Sequence, residues 1–327
     1  MKTLKSAQTC CASKYRHSNS ASQRHNFAFN TPIPIQCSIT RCTRVNCMPR
    51  DAVHQQWEDR ALSKLDRRTL LSFASILLAS QACIPEAKAD PNKVFVAGAT
   101  GETGRRIVMA LRAKGYHVIA GCRDPQKALT LGFGLDKEVA IRQADVTKGP
   151  EVLAQAMEDA QAVICATGFS GVNVTKVRSV DEQGTKNLVD AAKAKGVSKF
   201  VLVSSLLTNA KAIGQEDNPN YKFLNLFGGV LDAKLAAEKY LRASGLNYTI
   251  VRPGGLAKEP PEEVGNLIVG KEDTLFGRDT DPGRRISRDT VAAVCVAALV
   301  QPKADNKVIE VVSSPSAPVL PEDQWFL

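Results

Sequence analysis

A glycine-rich turn between a buried strand and an amphipathic helix is the feature of this sequence that most limits its fold. The apolar run 93–97 is typical of a strand, and apolar residues recur at helical spacing from Arg105 to Lys114. Between them, Gly98 allows a sharp turn, Gly101 lets another molecule approach the backbone, and Gly104 lets the helix pack close to the sheet. This order opens a βαβ unit and predicts an α/β fold with a doubly wound parallel sheet.

The same turn predicts a dinucleotide site, because the start of a helix presents N–H groups and the positive end of its dipole to phosphate. A glycine pattern alone is weak evidence, but here it stands in a strand, turn and helix in the order that such a site requires. The predicted cofactor contacts of this turn are Gly98, Thr100, Gly101, Glu102, Thr103 and Gly104.

Arg123, at the end of the second predicted strand (116–124), bears on which nicotinamide cofactor binds. A site for NAD(H) places a carboxylate here for the ribose hydroxyls, whereas a guanidinium can bind the 2′-phosphate of NADP(H) in a forked geometry. Asp124 is the counter-argument, but it precedes Pro125 and fits the N-cap of the next helix. The sequence therefore favours NADP(H) over NAD(H).

Two further strand ends belong to the predicted cofactor site. The third strand (139–146) ends at Asp145, which we expect to hydrogen-bond the adenine amino group, with Val146 beside it. The fourth strand (161–168) ends in small residues that allow close packing against the adenosine side of the cofactor, and these are Ala166, Thr167 and Gly168.

The first 90 residues are predicted to be targeting sequence. Residues 1–50 contain eight Lys or Arg and no Asp or Glu, which is typical of a plastid transit peptide. In 51–90, the pair Arg67 and Arg68 precedes an apolar run and an Ala-x-Ala site, which resembles a twin-arginine thylakoid signal, or alternatively a linker. Reduced nicotinamide cofactor is expected in the stroma, so chloroplast is the prediction and the lumen stays an alternative. The domain is then 91–314, followed by a flexible tail at 315–327.

Composition after the leader excludes several classes of function. Residues 91–327 hold 30 basic and 27 acidic side chains, a balance that gives no electrostatic case for binding nucleic acid. The cysteines Cys122, Cys165 and Cys295 form no C-x-x-C pair, and His117 is the single histidine of this region, so neither a disulfide framework nor a metal site is predicted. Cys165, within an apolar strand pattern, is interpreted as a buried thiol, with a redox role as the alternative.

Several of these segments resemble the atypical short-chain dehydrogenase/reductase family. Residues 94–101, 201–205 and 252–256 carry the resemblance, which covers about residues 92–312. Residues 223–228 and 286–289 are most similar to plant plastid proteins of the Tic62-like and NAD(P)H-binding, NmrA-like kind, a subgroup associated with plastoglobules. The resemblance implies a Rossmann-type sheet of about seven strands, helices on both faces, a small C-terminal substrate lobe, and association with thylakoid or plastoglobule membranes. It also places Pro253, Gly254 and Gly255 beside the nicotinamide ring.

The family's catalytic Tyr-x-x-x-Lys pair is incomplete in this chain. Lys234 matches the lysine, which holds the nicotinamide ribose, but Val230 stands at the tyrosine position and cannot transfer a proton. Ser204 and Ser205 after the fifth strand, and Tyr221 in a predicted loop, are the available hydroxyls. Glu238 and Lys239 are interpreted as a solvated helix face. Ser287 and Arg288 start a helix and either reach the cofactor or cap the helix, and capping is the favoured interpretation for Ser287.

Two functions fit these observations. The first is an NADPH-dependent oxidoreductase that acts on a conjugated or aromatic small molecule, since flavin- and tetrapyrrole-reducing relatives in the family lack the tyrosine as well. The second is a non-catalytic sensor of NADP(H) or an assembly factor at thylakoid or envelope membranes. The sequence names no substrate for either.

Overall fold

The computed structural model of the 327-residue chain describes residues 90, 92–169, 171, 173–226, 228–276 and 285–326. All of them belong to one compact unit, Pro85–Leu327. The predicted transit peptide and the twin-arginine segment lie outside the described residues, apart from Asp90. No helix in the described ranges is long and apolar enough to cross a membrane.

The main sheet has eight strands in the order β3-β2-β1-β4-β5-β6-β10-β8, one more than the seven or so expected. All neighbours pair in parallel except β10 and β8, which are antiparallel. A second sheet contains only β7 and β9. The strands are β1 Lys93–Ala97, β2 His117–Cys122, β3 Val139–Gln143, β4 Ala162–Cys165, β5 Lys199–Val203, β6 Tyr248–Pro253, β7 Gly255–Ala257, β8 Asn266–Lys271, β9 Arg285–Ser287 and β10 Lys307–Ser314.

Helices connect the parallel strands, as a doubly wound sheet requires. They are α1 Glu102–Ala113, α2 Pro125–Thr130, α3 Pro150–Met157, α4 Val174–Val177, α5 Thr185–Ala194, α6 Pro219–Leu226, α7 Val230–Ala243, α8 Pro261–Val264 and α9 Arg288–Ala297. A π-helical stretch, Arg178–Gly184, joins α4 to α5. The spacing of apolar residues in the sequence predicts helices at 175–195 and 231–244 and strands at 247–251 and 308–312, and the structure has these elements to within a few residues.

The strand order fixes where a ligand can bind. The chain runs outward from β1 through β2 to β3, then returns to place β4 on the other side of β1. The loops that follow β1 and β4 therefore diverge, and they leave a crevice at the carboxyl ends of these strands.

Apolar side chains cover both faces of the sheet. Val96, Ile164 and Val251 belong to a buried cluster on one face, which α1 and α9 complete, while Phe95 and Phe200 belong to the other. Cys165 is fully buried, which agrees with its interpretation as a core thiol. The sheet is a rigid platform for the loops at its edge because both faces are packed.

The C-terminal segment packs on the domain, although the sequence predicts a flexible tail. Phe326 is 2% exposed and belongs to the core cluster. The Nε1 atom of Trp325 donates a hydrogen bond of 2.8 Å to the carbonyl oxygen of Leu320. Two aromatic side chains thus fix the end of this segment, because burying them removes a large apolar area from water.

Candidate functional site

The glycine turn has the geometry that close packing of α1 on the sheet requires. Gly98 has a φ of +76°, in the left-handed region that glycine adopts at little cost. A Cβ atom on Gly104 would lie 2.1 Å from the carbonyl oxygen of Gly98, so no side chain fits there. Gly101 precedes the first residue of α1 and provides no capping side chain, which leaves the N–H groups of the first turn of α1 to be satisfied by another partner.

A cavity of about 760 Å³ opens at this turn, along the carboxyl edge of the sheet. Its wall is built from the turn before α1, the ends of β4, β5 and β6, and the helices α6 and α7. The cavity brings together eleven of the predicted site residues, namely Gly101, Glu102, Thr103, Ala166, Thr167, Gly168, Ser205, Lys234, Pro253, Gly254 and Gly255.

Three predicted cofactor contacts lie farther along the same edge, outside the wall of this cavity. Arg123 follows β2 and is exposed. Asp145 follows β3, and its Oδ1 atom accepts hydrogen bonds from the backbone N–H and the hydroxyl of Thr147. Val146 is buried, and its carbonyl oxygen accepts a hydrogen bond from the side-chain amide of Asn187. Gly98, Thr100 and Gly104 form the turn itself.

Lys234 is paired with an aspartate that sequence reasoning missed. The Nζ atom of Lys234 lies 3.0 Å from Oδ1 of Asp181, and the side chain of Asp181 is fully buried. The other carboxylate oxygen accepts a hydrogen bond of 3.0 Å from the backbone N–H of Phe169. Asp181 lies in the π-helical stretch, a rare conformation that is frequent at functional sites. Both charged groups line the cavity.

Apolar side chains also line the cavity. Val230 and Leu231 of α7, Leu207 after β5 and Phe276 after β8 lie in its wall. Leu207 has a φ of +65°, an unusual conformation for a side chain of this kind. A strained residue in a cavity wall is typical of sites whose geometry matters for function.

The three candidate hydroxyls have different surroundings. Ser205 lines the cavity, and within the described residues its hydroxyl makes no hydrogen bond. Ser204 also lines the cavity, but it is buried and its hydroxyl donates a hydrogen bond of 2.5 Å to Oε1 of Glu238. Tyr221 lies in α6 and not in a loop, so that prediction was wrong. Its hydroxyl donates to Oδ1 of Asp232 at 2.6 Å and it does not line the cavity.

The helix face interpreted as solvated is partly buried, because Glu238 is 1% exposed. Its carboxylate receives two N–H groups of Arg252, with the shortest contact at 2.6 Å. Arg252 also contacts Asp273 at 2.7 Å and lies 3.7 Å from Glu310. Burial opposes the positive charge, but the hydrogen bonds and negative charge of Glu238 outweigh it and raise the pKa of Arg252. The prediction for Glu238 was therefore wrong, while Lys239 is exposed as expected.

Two predicted caps are present. The carboxylate of Asp124 accepts hydrogen bonds from the N–H groups of Gln126 and Lys127 at the start of α2. The hydroxyl of Ser287 accepts one from the N–H of Asp289 at the start of α9. The Asp124 carboxylate is thus engaged locally, as the N-cap interpretation requires.

The residues present fit a dinucleotide. The uncapped start of α1 can satisfy the oxygens of a pyrophosphate, and Gly101 leaves its approach open. Ala166, Thr167 and Gly168 continue the cavity from the turn toward Lys234, which would hold the nicotinamide ribose. A Cβ atom on Gly168 would lie 3.9 Å from the Nζ atom of Lys234, so small residues here keep the path to the lysine clear.

Comparison with known proteins supports the binding of a nicotinamide cofactor. The model of the NAD(P)H-binding family matches residues 98–302, which include the turn, the cavity and α9. A protein from Bacillus halodurans assigned as an NAD-dependent epimerase/dehydratase superposes with a TM-score of 0.57 at 26% identity, over 71% of this chain and 97% of its own.

Two plant relatives are similar in sequence. An uncharacterised chloroplastic protein of Arabidopsis thaliana is 54% identical over 228 residues, which are 69% of this chain and 78% of that protein. The chloroplastic protein Tic62 of Pisum sativum is 36% identical over 255 residues, or 72% of this chain and 45% of Tic62. The chain therefore spans less than half of the pea protein. With its family model, its cofactor turn and these relatives, the chain belongs to the NAD(P)H-binding Rossmann family that includes Tic62 and other chloroplastic proteins.

Proposed function

We propose that this protein is an NADPH-dependent oxidoreductase of the chloroplast that reduces a conjugated or aromatic small molecule such as a quinone, flavin or tetrapyrrole. The observation that carries the proposal is one cavity in which the cofactor turn, the Lys234–Asp181 pair and an apolar wall meet, and no tyrosine of the described residues lies in its wall. The chloroplastic relatives support the compartment.

The missing tyrosine selects the kind of acceptor. When bound, NADPH supplies a hydride. An isolated ketone then concentrates negative charge on one oxygen and needs a proton donor aimed at it, whereas a conjugated acceptor spreads the charge and can take its proton from water. The ammonium group of Lys234 stabilises negative charge that develops in the cavity, and Asp181 keeps this ammonium in place. Ser205 offers a hydroxyl to orient the acceptor.

The preference for NADPH over NADH rests on the end of β2. The carboxylate of Asp124 caps α2, which leaves it poorly placed to bind ribose hydroxyls. The adjacent Arg123 side chain is exposed and free to extend toward a 2′-phosphate. We expect Arg123→Asp to weaken NADPH binding by roughly 10-fold or more, the usual effect of losing a charged hydrogen bond, and to leave NADH binding much less affected.

The test is NADPH oxidation by the full chain with menadione, FMN and cyclohexanone as acceptors. We expect turnover with menadione or FMN and none with cyclohexanone. Lys234→Ala should reduce turnover by about 100-fold or more, the usual cost of removing an electrostatic group of the active site. Lys239→Ala, an exposed lysine on the same helix, should leave turnover unchanged.

Calorimetric titration with NADPH accompanies the assay, with Gly101→Val as the variant that blocks the cofactor turn. Reduction of cyclohexanone as fast as menadione would contradict the proposed acceptor class. NADPH binding without reduction of any conjugated acceptor would contradict catalysis altogether and leave the sensor function.

A further inference from the structure

Arg288 lies in the wall of the cavity. It is the first residue of α9, and it lines the cavity together with Gly101, Glu102 and Thr103 at the start of α1. Its Nη1 atom donates a hydrogen bond of 2.9 Å to the carbonyl oxygen of Leu256, another residue of the wall. This bond fixes the direction of the guanidinium.

The backbone around Arg288 is well held. Ser287 is fully buried, and its hydroxyl donates to the carbonyl oxygen of Glu259 at 2.9 Å while it caps α9. Strand β9 pairs with β7, so that Ile286 lies opposite Leu256. The guanidinium is therefore presented to the cavity from a rigid element, which favours specific binding because little conformational freedom is lost.

No carboxylate of the described residues forms an ion pair with Arg288, although three are close in sequence or space. Glu102 pairs with Arg105 at 2.8 Å, Asp289 with Arg106 at 3.1 Å, and Glu259 with Arg285 at 2.9 Å.

The Nε atom of Arg288 is buried and makes no hydrogen bond in the described part of the chain. Burial lowers the pKa of Arg288, and the positive charges of Arg106 and Arg105 lower it further, against the effect of Glu102 and Glu259. Burying an arginine away from water without a carboxylate partner costs free energy, unless a ligand supplies the negative charge.

We infer that Arg288 is an anion-binding residue of the cavity, which takes a phosphate or carboxylate group of a bound ligand. The cofactor is one source of such a group, because its pyrophosphate is expected at the start of α1, where Gly101, Glu102 and Thr103 meet Arg288. An acidic substituent on the second substrate is the other source, because Leu256 and Arg288 also border the part of the wall formed by Gly255. The inference rests on the proposed binding of a nicotinamide cofactor in this cavity.

The test is calorimetric titration of the full chain and of Arg288→Gln with four probes. NADPH carries the pyrophosphate, and adenosine 2′-monophosphate lacks it. The other two probes, 2-naphthoate and 2-naphthamide, are added with saturating NADP⁺ and share an apolar ring, but only 2-naphthoate carries a carboxylate. Arg285→Gln is the matched control, since Arg285 lies three residues earlier, is exposed, and already pairs with Glu259. Arg288→Lys retains the positive charge. Thermal unfolding of each variant shows whether the substitution impairs folding.

If Arg288 binds the pyrophosphate, Arg288→Gln weakens NADPH binding by roughly 10-fold or more and leaves adenosine 2′-monophosphate unaffected. If it binds a substrate carboxylate, NADPH binding is unchanged while 2-naphthoate binding falls by a similar factor and 2-naphthamide binding does not. Arg288→Lys should lose less than Arg288→Gln in either case.

The inference is wrong if Arg288→Gln matches the wild type with both NADPH and 2-naphthoate, or if Arg285→Gln loses as much affinity. If Arg288→Gln does not fold, the wild-type protein provides the test. Phenylglyoxal modifies arginine side chains, and mass spectrometry measures the rate at each position. NADPH or 2-naphthoate must then slow the modification of Arg288 but not that of Arg285. Since every readout is binding or modification, a failure to reduce any acceptor would not affect the result.

Discussion

The Nζ atom of Lys234 lies 3.0 Å from Oδ1 of Asp181, a carboxylate with no exposure to solvent. The second oxygen of Asp181 accepts the N–H of Phe169, so the aspartate ties the loop after β4 to α7. Lys234 is therefore positioned by a buried charge. A partly buried ion pair of this kind is screened by salt much less than one between exposed charges.

Asp181→Asn is expected to lower kcat/KM for menadione by roughly 10- to 100-fold, the range for losing a hydrogen bond to a charged group. The amide can still accept the N–H of Phe169, but it no longer opposes the charge of Lys234. Steady-state NADPH oxidation measures the effect. Asp190→Asn is the matched control, because Asp190 on α5 accepts a hydrogen bond from the Tyr240 hydroxyl and is not among the residues that line the cavity. Equal losses in the two variants would show that Asp181 has no special role.

Gly104→Ala is expected to destabilise the fold by about 3 kcal/mol or more, at the upper end for overpacking. The new Cβ atom would meet the backbone carbonyl of Gly98 at 2.1 Å, and neither α1 nor β1 can move without disturbing the core. Urea unfolding measures the free energy. Gly101→Ala is the control, since Gly101 has a φ of −75° and its Cβ would come no closer than 3.2 Å to that same carbonyl.

A stability loss in Gly104→Ala no larger than in Gly101→Ala would mean that α1 can shift away from the turn. Gly101→Ala should instead weaken NADPH binding, because it narrows the approach to the start of α1. The two glycines therefore separate folding from binding within one turn.

Tyr221→Phe is expected to leave turnover unchanged and to cost about 0.5–1.5 kcal/mol of stability, the usual value of one hydrogen bond. The Tyr221 hydroxyl joins α6 to α7 through Asp232, and both burial and this hydrogen bond raise the pKa of the phenol. It is therefore a poor proton donor to a ligand. NADPH oxidation assays test the expectation for turnover, and urea unfolding tests the expectation for stability. A large loss of turnover without a loss of stability would restore Tyr221 as a catalytic candidate.

Local patterns were sufficient to predict the cofactor turn and most strands. The backbone of the turn requires glycine at Gly98 and Gly104, so the spacing of these glycines in the sequence predicts the conformation of the turn. The cap at Asp124 likewise involves only residues two and three positions away. Features that depend on neighbours in sequence can be read from it because the physics that fixes them is local.

The charged residues of the site could not be predicted in this way. Asp181 and Glu238 lie in helices with polar neighbours, a pattern typical of a solvated face. Their partners are 53 and 14 residues away, at Lys234 and Arg252, and only the folded sheet brings them together. The π-helical stretch also shifts the helical register at Asp181, so spacing alone misplaces its side chain. Buried ion pairs are tertiary features, and no periodicity signals them.

Arg252→Met is expected to cost about 3–5 kcal/mol at pH 7, because it leaves buried carboxylates without their cation. Burial raises the pKa of Glu310, so the stability that Glu310 contributes is complete below its unfolded value of 4.5 and is lost as the pH rises through the raised native value. The deficit of Arg252→Met should therefore shrink between pH 7 and pH 5, where protonation begins to remove the uncompensated charge.

Urea unfolding at the two pH values measures this difference between wild type and variant. The double variant Arg252→Met with Glu238→Leu removes both partners of the shortest ion pair and should recover part of the loss at pH 7. A deficit that stays constant with pH, or a double variant less stable than Arg252→Met, would show that packing and not charge dominates at this position.

Val230→Tyr should introduce a general acid beside Lys234. Val230 and Lys234 are four residues apart on α7, so their side chains lie on one face of the helix, and both line the cavity. A tyrosine at 230 would place a hydroxyl beside the ammonium group, and we expect NADPH-dependent reduction of cyclohexanone to rise by about 100-fold or more, the usual contribution of a positioned acid. Val230→Phe adds the same ring without the hydroxyl and is the control. Reduction of menadione should change little in both variants, because a conjugated acceptor does not depend on the proton of the introduced tyrosine hydroxyl. Equal reduction of cyclohexanone by Val230→Tyr and Val230→Phe would place the reacting oxygen elsewhere in the cavity.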